Sequence, residues 1–121
     1  MTPRTDALLP LSPTDFHVLM VLVDGPLYGY AILKAVEEES EGTVSPEIGS
    51  LYRVLARLME MRLVEEVGPP RGQEDEVHRG RPRRYYRITA AGLAGARAEA
   101  GRMRLALELA RSRRLLPEGQ A

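Results

Sequence analysis

Val44-Ser45-Pro46-Glu47-Ile48-Gly49-Ser50-Leu51-Tyr52-Arg53-Val54-Leu55-Ala56-Arg57-Leu58-Met59-Glu60-Met61-Arg62-Leu63-Val64-Glu65-Glu66-Val67 is the stretch around which the rest of the chain is organised. Ser45 is a residue type that caps helix N-termini, and Pro46 suits a first helical position, where the missing N–H is not needed. Ile48, Leu51, Tyr52, Leu55, Leu58 and Met59 then recur at steps of three and four, the period of one helix face. They predict a buried stripe. The opposite face carries Glu47, Ser50, Arg53 and Arg57, short polar and guanidinium groups able to reach base edges and phosphates. A solvated amphipathic helix would show the same pattern, so the flanking segments decide.

Residues 1–10 contain two prolines and no regular period, which predicts a flexible arm. Ser12 and Pro13 then open a first helix, with Asp15 placed for a capping box and Leu11 able to staple against Phe16. Its expected apolar face is Phe16, Leu19, Met20, Leu22 and Val23, and Gly25-Pro26 stops it after Asp24. A second helix is expected from residue 27 or 28 to about residue 40. Tyr28, Ile32, Leu33 and Val36 face inward in this reading, and Glu37, Glu38, Glu39 and Glu41 outward. Gly29 lowers its helical propensity by about 1 kcal/mol relative to Ala. Gly42-Thr43 breaks the chain before Ser45. A helix, a short glycine-containing turn and a second helix make a helix-turn-helix.

Residues 63–67 read as a short strand ended by Gly68-Pro69-Pro70, and the alternation from Arg83 to Ile88 reads as its returning partner. This predicts a two-stranded wing, its tip at residues 68–81, leaning on the helices because so small a hairpin is not stable alone. Arg79, Arg81, Arg83, Arg84 and Arg87 fall within nine residues that contain no acid. Such a projecting cluster suits phosphates or a minor groove. The competing reading is a solvated turn whose arginines balance Glu74, Asp75 and Glu76.

Thr89 caps a last helix expected from Ala90 to about Leu115, before Pro117 and Gly119. Leu93, Ala96, Ala100, Met103, Leu107 and Ala110 form a nearly heptad seam, which Leu105 and Leu109 widen. A stripe of this length exceeds what a small winged unit covers. An identical chain about a twofold axis is the economical partner, with packing back onto the first helix taking part of the stripe. The resulting division is an arm over residues 1–10, a DNA-binding unit over 11–89, a dimerisation helix over 90–116 and a flexible tail over 117–121.

Composition bounds the function. The 121 residues, 44% hydrophobic and 28% charged, suit one globular unit with a modest core of Leu, Val, Ile, Met and Tyr. No cysteine is present, which excludes disulfides, thiolate zinc and a cysteine nucleophile. His17 and His78 have no partner in sequence that would make a metal site or a catalytic pair, so neither enzyme chemistry nor a metal or cofactor is expected. No apolar run is long enough to span a bilayer, and the expected location is the cytoplasm. The net charge is zero but polarised, with 5 basic and 11 acidic residues up to Glu66 against 12 and 6 beyond it. Phosphate affinity depends on the local field, so neutrality overall does not exclude DNA. Sixteen arginines against one lysine fit bidentate recognition, though a GC-rich genome produces the same bias.

The chain resembles the PadR-like family of winged-helix transcriptional regulators. Three segments carry the resemblance: Leu27-Tyr28-Gly29-Tyr30-Ala31-Ile32, Gly49-Ser50-Leu51-Tyr52-Arg53-Val54-Leu55-Ala56-Arg57-Leu58, and Arg83-Arg84-Tyr85-Tyr86-Arg87-Ile88-Thr89-Ala90-Ala91-Gly92. Arg53 stands where the family commonly has Pro, and Met59-Glu60 follows the Arg-Leu pair where Glu is frequent. The resemblance implies a mostly α (α+β) winged helix-turn-helix with a long C-terminal dimerisation helix. It also implies a dimeric repressor on a pseudo-palindromic operator of double-stranded DNA, released by a small-molecule effector.

These readings assign base contacts to Glu47, Ser50 and Arg53. Backbone or minor-groove contacts fall to Tyr52, Arg57, Arg79, Arg81, Arg83, Arg84 and Tyr85. Met20 and Met103 are expected to line an effector pocket where the last helix meets the first. The alternative is a winged-helix scaffold for protein association, docking a basic partner on the acidic second helix.

Overall fold

The computed structural model describes residues 10–74, 77–78 and 81–117, the side chains at 77, 78, 81 and 82 excepted. Most of the expected arm and tail lies outside these residues. In chain order the elements are α1 (Pro13–Val21), β1 (Leu27–Tyr28), α2 (Gly29–Glu39), α3 (Ile48–Glu60), β2 (Val64–Val67), β3 (Val77–His78), β4 (Arg81–Pro82), β5 (Tyr85–Ile88) and α4 (Ala90–Ser112).

Helix α1 starts as its sequence dictates: Ser12 Oγ accepts the Asp15 N–H at 3.1 Å and Pro13 takes the first position. Asp15, Val18, Leu19 and Leu22, spaced i, i+3, i+4, i+7, form the buried face, with Val21 beside it. Met20 and Val23 were expected inside and are exposed. The face is set by the three helices that α1 touches, α2, α3 and α4, and it lies one step away from the two residues the sequence favoured.

Residues 27 and 28 are a strand, β1, rather than the start of α2. The sheet is therefore three-stranded and antiparallel in the order β1-β5-β2, with Leu27 opposite Tyr86, Tyr28 opposite Tyr85, Val64 opposite Ile88 and Val67 opposite Tyr85. A separate pair, β3 and β4, extends the wing beyond it.

Helix α3 begins at Ile48, three residues after the expected cap. Glu47 is the extended residue at its N-terminus and gives no side-chain cap. The preceding turn is tied instead by Ser40, whose Oγ accepts the Val44 N–H and donates to the Val44 carbonyl, both at 3.0 Å. Leu51, Leu55 and Leu58 are fully buried, each stabilising the fold by about 1.5–3 kcal/mol relative to exposure. They meet Val18, Leu19, Leu22, Ile32, Val36, Leu63, Val64 and Tyr86 in one core.

Helix α4 is anchored at its start and unsupported at its end. Thr89 Oγ1 accepts the Gly92 N–H at 3.0 Å and donates to the Arg62 carbonyl at 2.7 Å, while the Thr89 N–H reaches the Leu63 carbonyl at 3.0 Å. A Cβ on Gly92 would lie 2.1 Å from the Leu63 carbonyl oxygen, so only glycine lets the helix lie this close to the chain between α3 and β2. The inward stripe is Gly92, Gly95, Ala96 and Glu99. From Ala100 to Leu109 every residue is exposed.

Candidate nucleic-acid interface

The outer face of α3 carries the sequence-assigned residues in order. Glu47, Arg53 and Arg57 are exposed and Ser50 is half-buried. Arg53 Nη2 donates to Ser50 Oγ at 3.1 Å, so these two act as one polar unit, a guanidinium braced by a hydroxyl one turn earlier. Arg57, one turn further on, points across to α1 and pairs through Nη2 with Asp15 Oδ1. Tyr52 is 40% exposed and lies against the start of α2: a Cβ on Gly29 would come within 2.6 Å of its hydroxyl. Gly29 is thus what lets the Tyr52 ring lie across the junction of β1 and α2.

The described part of the wing is less nakedly basic than its sequence. Arg84 Nε meets Glu66 Oε1 at 3.0 Å, and Arg87 Nε donates to Glu65 Oε1 at 2.9 Å. Both acids come from β2, across the ladder from the arginine run, where a one-dimensional count of charge does not see them. The Arg83 guanidinium lies 4.1 Å over the Tyr28 ring. Arg79 falls outside the described residues, and of Arg81 only the backbone, in β4, is described.

Tyr85 is not an exposed backbone contact. It is 2% exposed, its ring edge-on to Tyr28 at 5.6 Å and its hydroxyl donating to Gln73 Oε1 at 2.7 Å. It is buried because β5 is the central strand, with Tyr86 filling the helical side and Tyr85 covered from the wing side. Burial pushes the Tyr86 hydroxyl above its usual pKa; Arg84 pulls against this, and Tyr52 and Glu66 add to the rise.

A second polar feature, absent from the sequence reading, joins α1 to α4. Glu99, 1% exposed, accepts the Leu11 N–H at 2.6 Å and Arg102 Nε at 2.7 Å. Burial alone raises the pKa of its carboxyl, but the Leu11 amide and the Arg102 guanidinium outweigh that and leave it below the usual value. Beside it is a cavity of about 200 Å³ lined by Phe16, His17, Glu99, Arg102 and Met103 among others. His17 Nδ1 has no hydrogen-bond partner among the described residues. Of the two methionines assigned to an effector pocket, Met103 lines this cavity and Met20 does not. The signal for Glu99 was its spacing: it is the i+7 member of the stripe that starts at Gly92.

The expected seam of α4 divides. Ala96 is buried against its own core and Leu93 is half-buried, whereas Ala100, Met103 and Leu107 are exposed and Ala110 half-buried. Leu105 and Leu109 are also exposed. Among the described residues no group of three or more His, Cys, Asp or Glu could hold a metal ion, and no helix is long and apolar enough to cross a membrane.

Comparison with known proteins places this arrangement. A model of the transcriptional regulator PadR-like family matches residues 18–98. A Streptomyces fradiae protein described as an uncharacterized 37.1 kDa protein in transposon TN4556 is 43% identical over 75 residues. That match takes in 62% of this chain, which spans only 18% of the relative's length. A transcriptional regulator from Clostridium thermocellum has the same fold with a TM-score of 0.66 at 21% identity, over 91% of this chain and 96% of its own. A PadR family transcription regulator from Clostridium difficile gives 0.67 at 20%, over 84% and 97%. Bacillus subtilis PadR, solved in complex with operator DNA, gives 0.56 at 20%, over 69% of this chain and 44% of its own. With the family model spanning both α3 and the wing, the chain belongs to the PadR-like family of transcriptional regulators.

Proposed function

We propose that this chain is a sequence-specific DNA-binding transcriptional regulator, a homodimeric repressor of the cytoplasm that leaves its operator when a small molecule binds. The observation that carries this reading is the Ser50–Arg53 unit on the outer face of α3, a hydroxyl-braced guanidinium at the position where a recognition helix meets base edges. Glu47 flanks it. Tyr52 and the arginines of the wing contact the backbone or minor groove, and Arg57 meets a phosphate at the edge of the same face. Residues 11–89 form the DNA-binding unit and residues 90–116 the dimerisation helix. Two copies joined through Ala100, Met103, Leu107 and Ala110 address the half-sites of a pseudo-palindrome about 34–36 Å apart. The effector site is the cavity between α1 and α4.

Binding to duplexes from the DNA around its own gene, with random duplex as competitor and salt titrated, tests the reading. Selective retardation at one dimer per palindrome is expected. Binding indifferent to sequence overturns the operator reading. A second reading, a protein-association scaffold, draws on the exposed Glu37, Glu38 and Glu39 of α2, the first two of which border an open groove also lined by Tyr30, Leu33 and Lys34. Absence of binding to any duplex at low salt would favour it.

A further inference from the structure

We infer that Asp15, on α1 and outside the helix-turn-helix, is a positioning residue for DNA binding, holding Arg57 ready for a phosphate; this rests on the DNA-binding reading above. Arg57 shares a helical stripe with Ser50 and Arg53, at i+7 and i+4 from them, and its side chain is 51% exposed. Asp15 is the opposite kind of partner. Its side chain is 11% exposed, and its backbone is fixed by the Ser12 cap at the start of α1. The guanidinium is therefore anchored at one edge by a nearly buried, rigidly held carboxylate.

A guanidinium has five N–H donors in a planar fork, and its pairing with Asp15 is through one nitrogen, Nη2. A long arginine left to itself loses rotamer freedom when a ligand orders it. One already tied to α1 has lost most of that freedom before DNA arrives. The anchoring also fixes the direction in which the remaining donors lie relative to the Ser50–Arg53 unit. The phosphate it meets lies one helical turn, about 6 Å, along α3 from the groove contact of Arg53.

Three roles for Asp15 make opposite predictions. If it were only a negative charge near DNA, removing it would tighten binding. If it only stapled α1 to α3, removing it would lower the melting temperature and leave the affinity of the folded protein unchanged. Positioning requires that removing an acid weaken DNA binding.

The experiment measures cognate-duplex affinity across a salt series for the full chain, for Asp15→Asn, Arg57→Gln and their combination, and for Arg57→Lys. Circular dichroism and stoichiometric titration with cognate duplex set the folded, binding-competent concentration. Asn keeps the size of Asp15 and the backbone cap. Asp15→Asn is expected to weaken binding about three- to tenfold with an unchanged salt slope, because the phosphate contact survives in a less ordered form. Arg57→Gln lowers the slope by roughly one per protomer, about two for a dimer bound to both half-sites. In the Arg57→Gln background Asp15→Asn has no further weakening effect. Arg57→Lys keeps the charge and the slope but binds as weakly as Asp15→Asn, which tests the idea should Asp15→Asn fold poorly. Unchanged or tighter binding by Asp15→Asn overturns the inference, as does wild-type-like affinity of Arg57→Lys. Absence of wild-type binding to any duplex would instead remove the DNA-binding reading, and the inference with it.

Discussion

The Glu99 carboxylate of α4 accepts the backbone N–H of Leu11, 88 residues earlier in sequence, at 2.6 Å. The bond joins the residue just before the α1 cap to the last buried turn of α4. With Arg102 on its other oxygen, the carboxylate is satisfied in a place where an unpaired charge would be strongly destabilising. Because its folded-state pKa is depressed below 4.5, the protonated form favours the unfolded chain. The stabilisation is complete above that value and is lost as pH falls through the folded pKa. Glu99→Gln should cost about 1–3 kcal/mol at neutral pH. Thermal melts of the two proteins from pH 7 down to pH 3 should converge as the wild type loses its advantage. A gap independent of pH would show that the charge is not what stabilises.

Gly92 gives a steric test of the junction between the wing and α4. A Cβ there would sit 2.1 Å from the Leu63 carbonyl oxygen and 2.8 Å from Ile88 Cγ1, and the nearer neighbour is backbone. Gly92→Ala should destabilise the fold by about 1–3 kcal/mol or more, despite alanine's better helix propensity. Gly101→Ala, where nothing lies within 4 Å, should stabilise slightly. Chemical denaturation of both variants decides it, and equal effects would mean that α4 does not press on Leu63.

The apolar half of α4 makes a prediction about assembly. Met103, Leu105, Leu107 and Leu109 are 42–58% exposed in the single chain, a run that a soluble helix seldom leaves to water. Leu107→Glu should convert the protein to a monomer in sedimentation experiments while leaving its circular dichroism unchanged. Unaltered mass would exclude the Leu107 side of α4 as a contact between copies.

How much of this was legible in sequence follows from which interactions are local. The α3 stripe of Leu51, Leu55 and Leu58, the Ser12 and Thr89 caps and the wing strands are written in periods and single-residue signals a few positions long, whereas Tyr52, expected in that stripe, is exposed. Strand β1 is not, since two residues carry no period and become a strand only by pairing with Tyr85 and Tyr86 far along the chain. The Ser45 cap was a fair local reading that lost to Ser40, which ties the turn from the other side. Asp15–Arg57, Arg84–Glu66 and Arg87–Glu65 couple residues 42, 18 and 22 positions apart, beyond any motif. Glu99 has the right spacing for the core stripe, but the Leu11 amide that makes its burial possible lies 88 positions away.

The pairing of Arg84 with Glu66 and Arg87 with Glu65 sets an electrostatic ceiling on the wing. The four side chains are 44–69% exposed, so the pairs contribute little to stability. Their acids, however, offset the field that attracts phosphate. Glu65→Gln with Glu66→Gln should leave the melting temperature nearly unchanged and tighten binding to all duplexes several-fold at low salt, mainly through a faster association rate. Stopped-flow association across a salt series would show it, and an unchanged rate would place the wing away from the backbone.

Arg53 should behave in the opposite way, because a base contact discriminates where a phosphate contact does not. Its guanidinium is braced by Ser50 Oγ, so loss of either partner should disturb the same base pair. Arg53→Ala should weaken cognate binding by about 1–3 kcal/mol and random duplex much less, flattening preference at one position of each half-site. Ser50→Ala should flatten the same position by a smaller amount, since it frees the guanidinium to other rotamers without removing it. Selection of bound sequences from a randomised duplex pool, done with wild type and both variants, reads the two positions directly. Equal losses on cognate and random DNA would assign Arg53 to the backbone, and flattening at different positions would show that the two residues do not act as a unit.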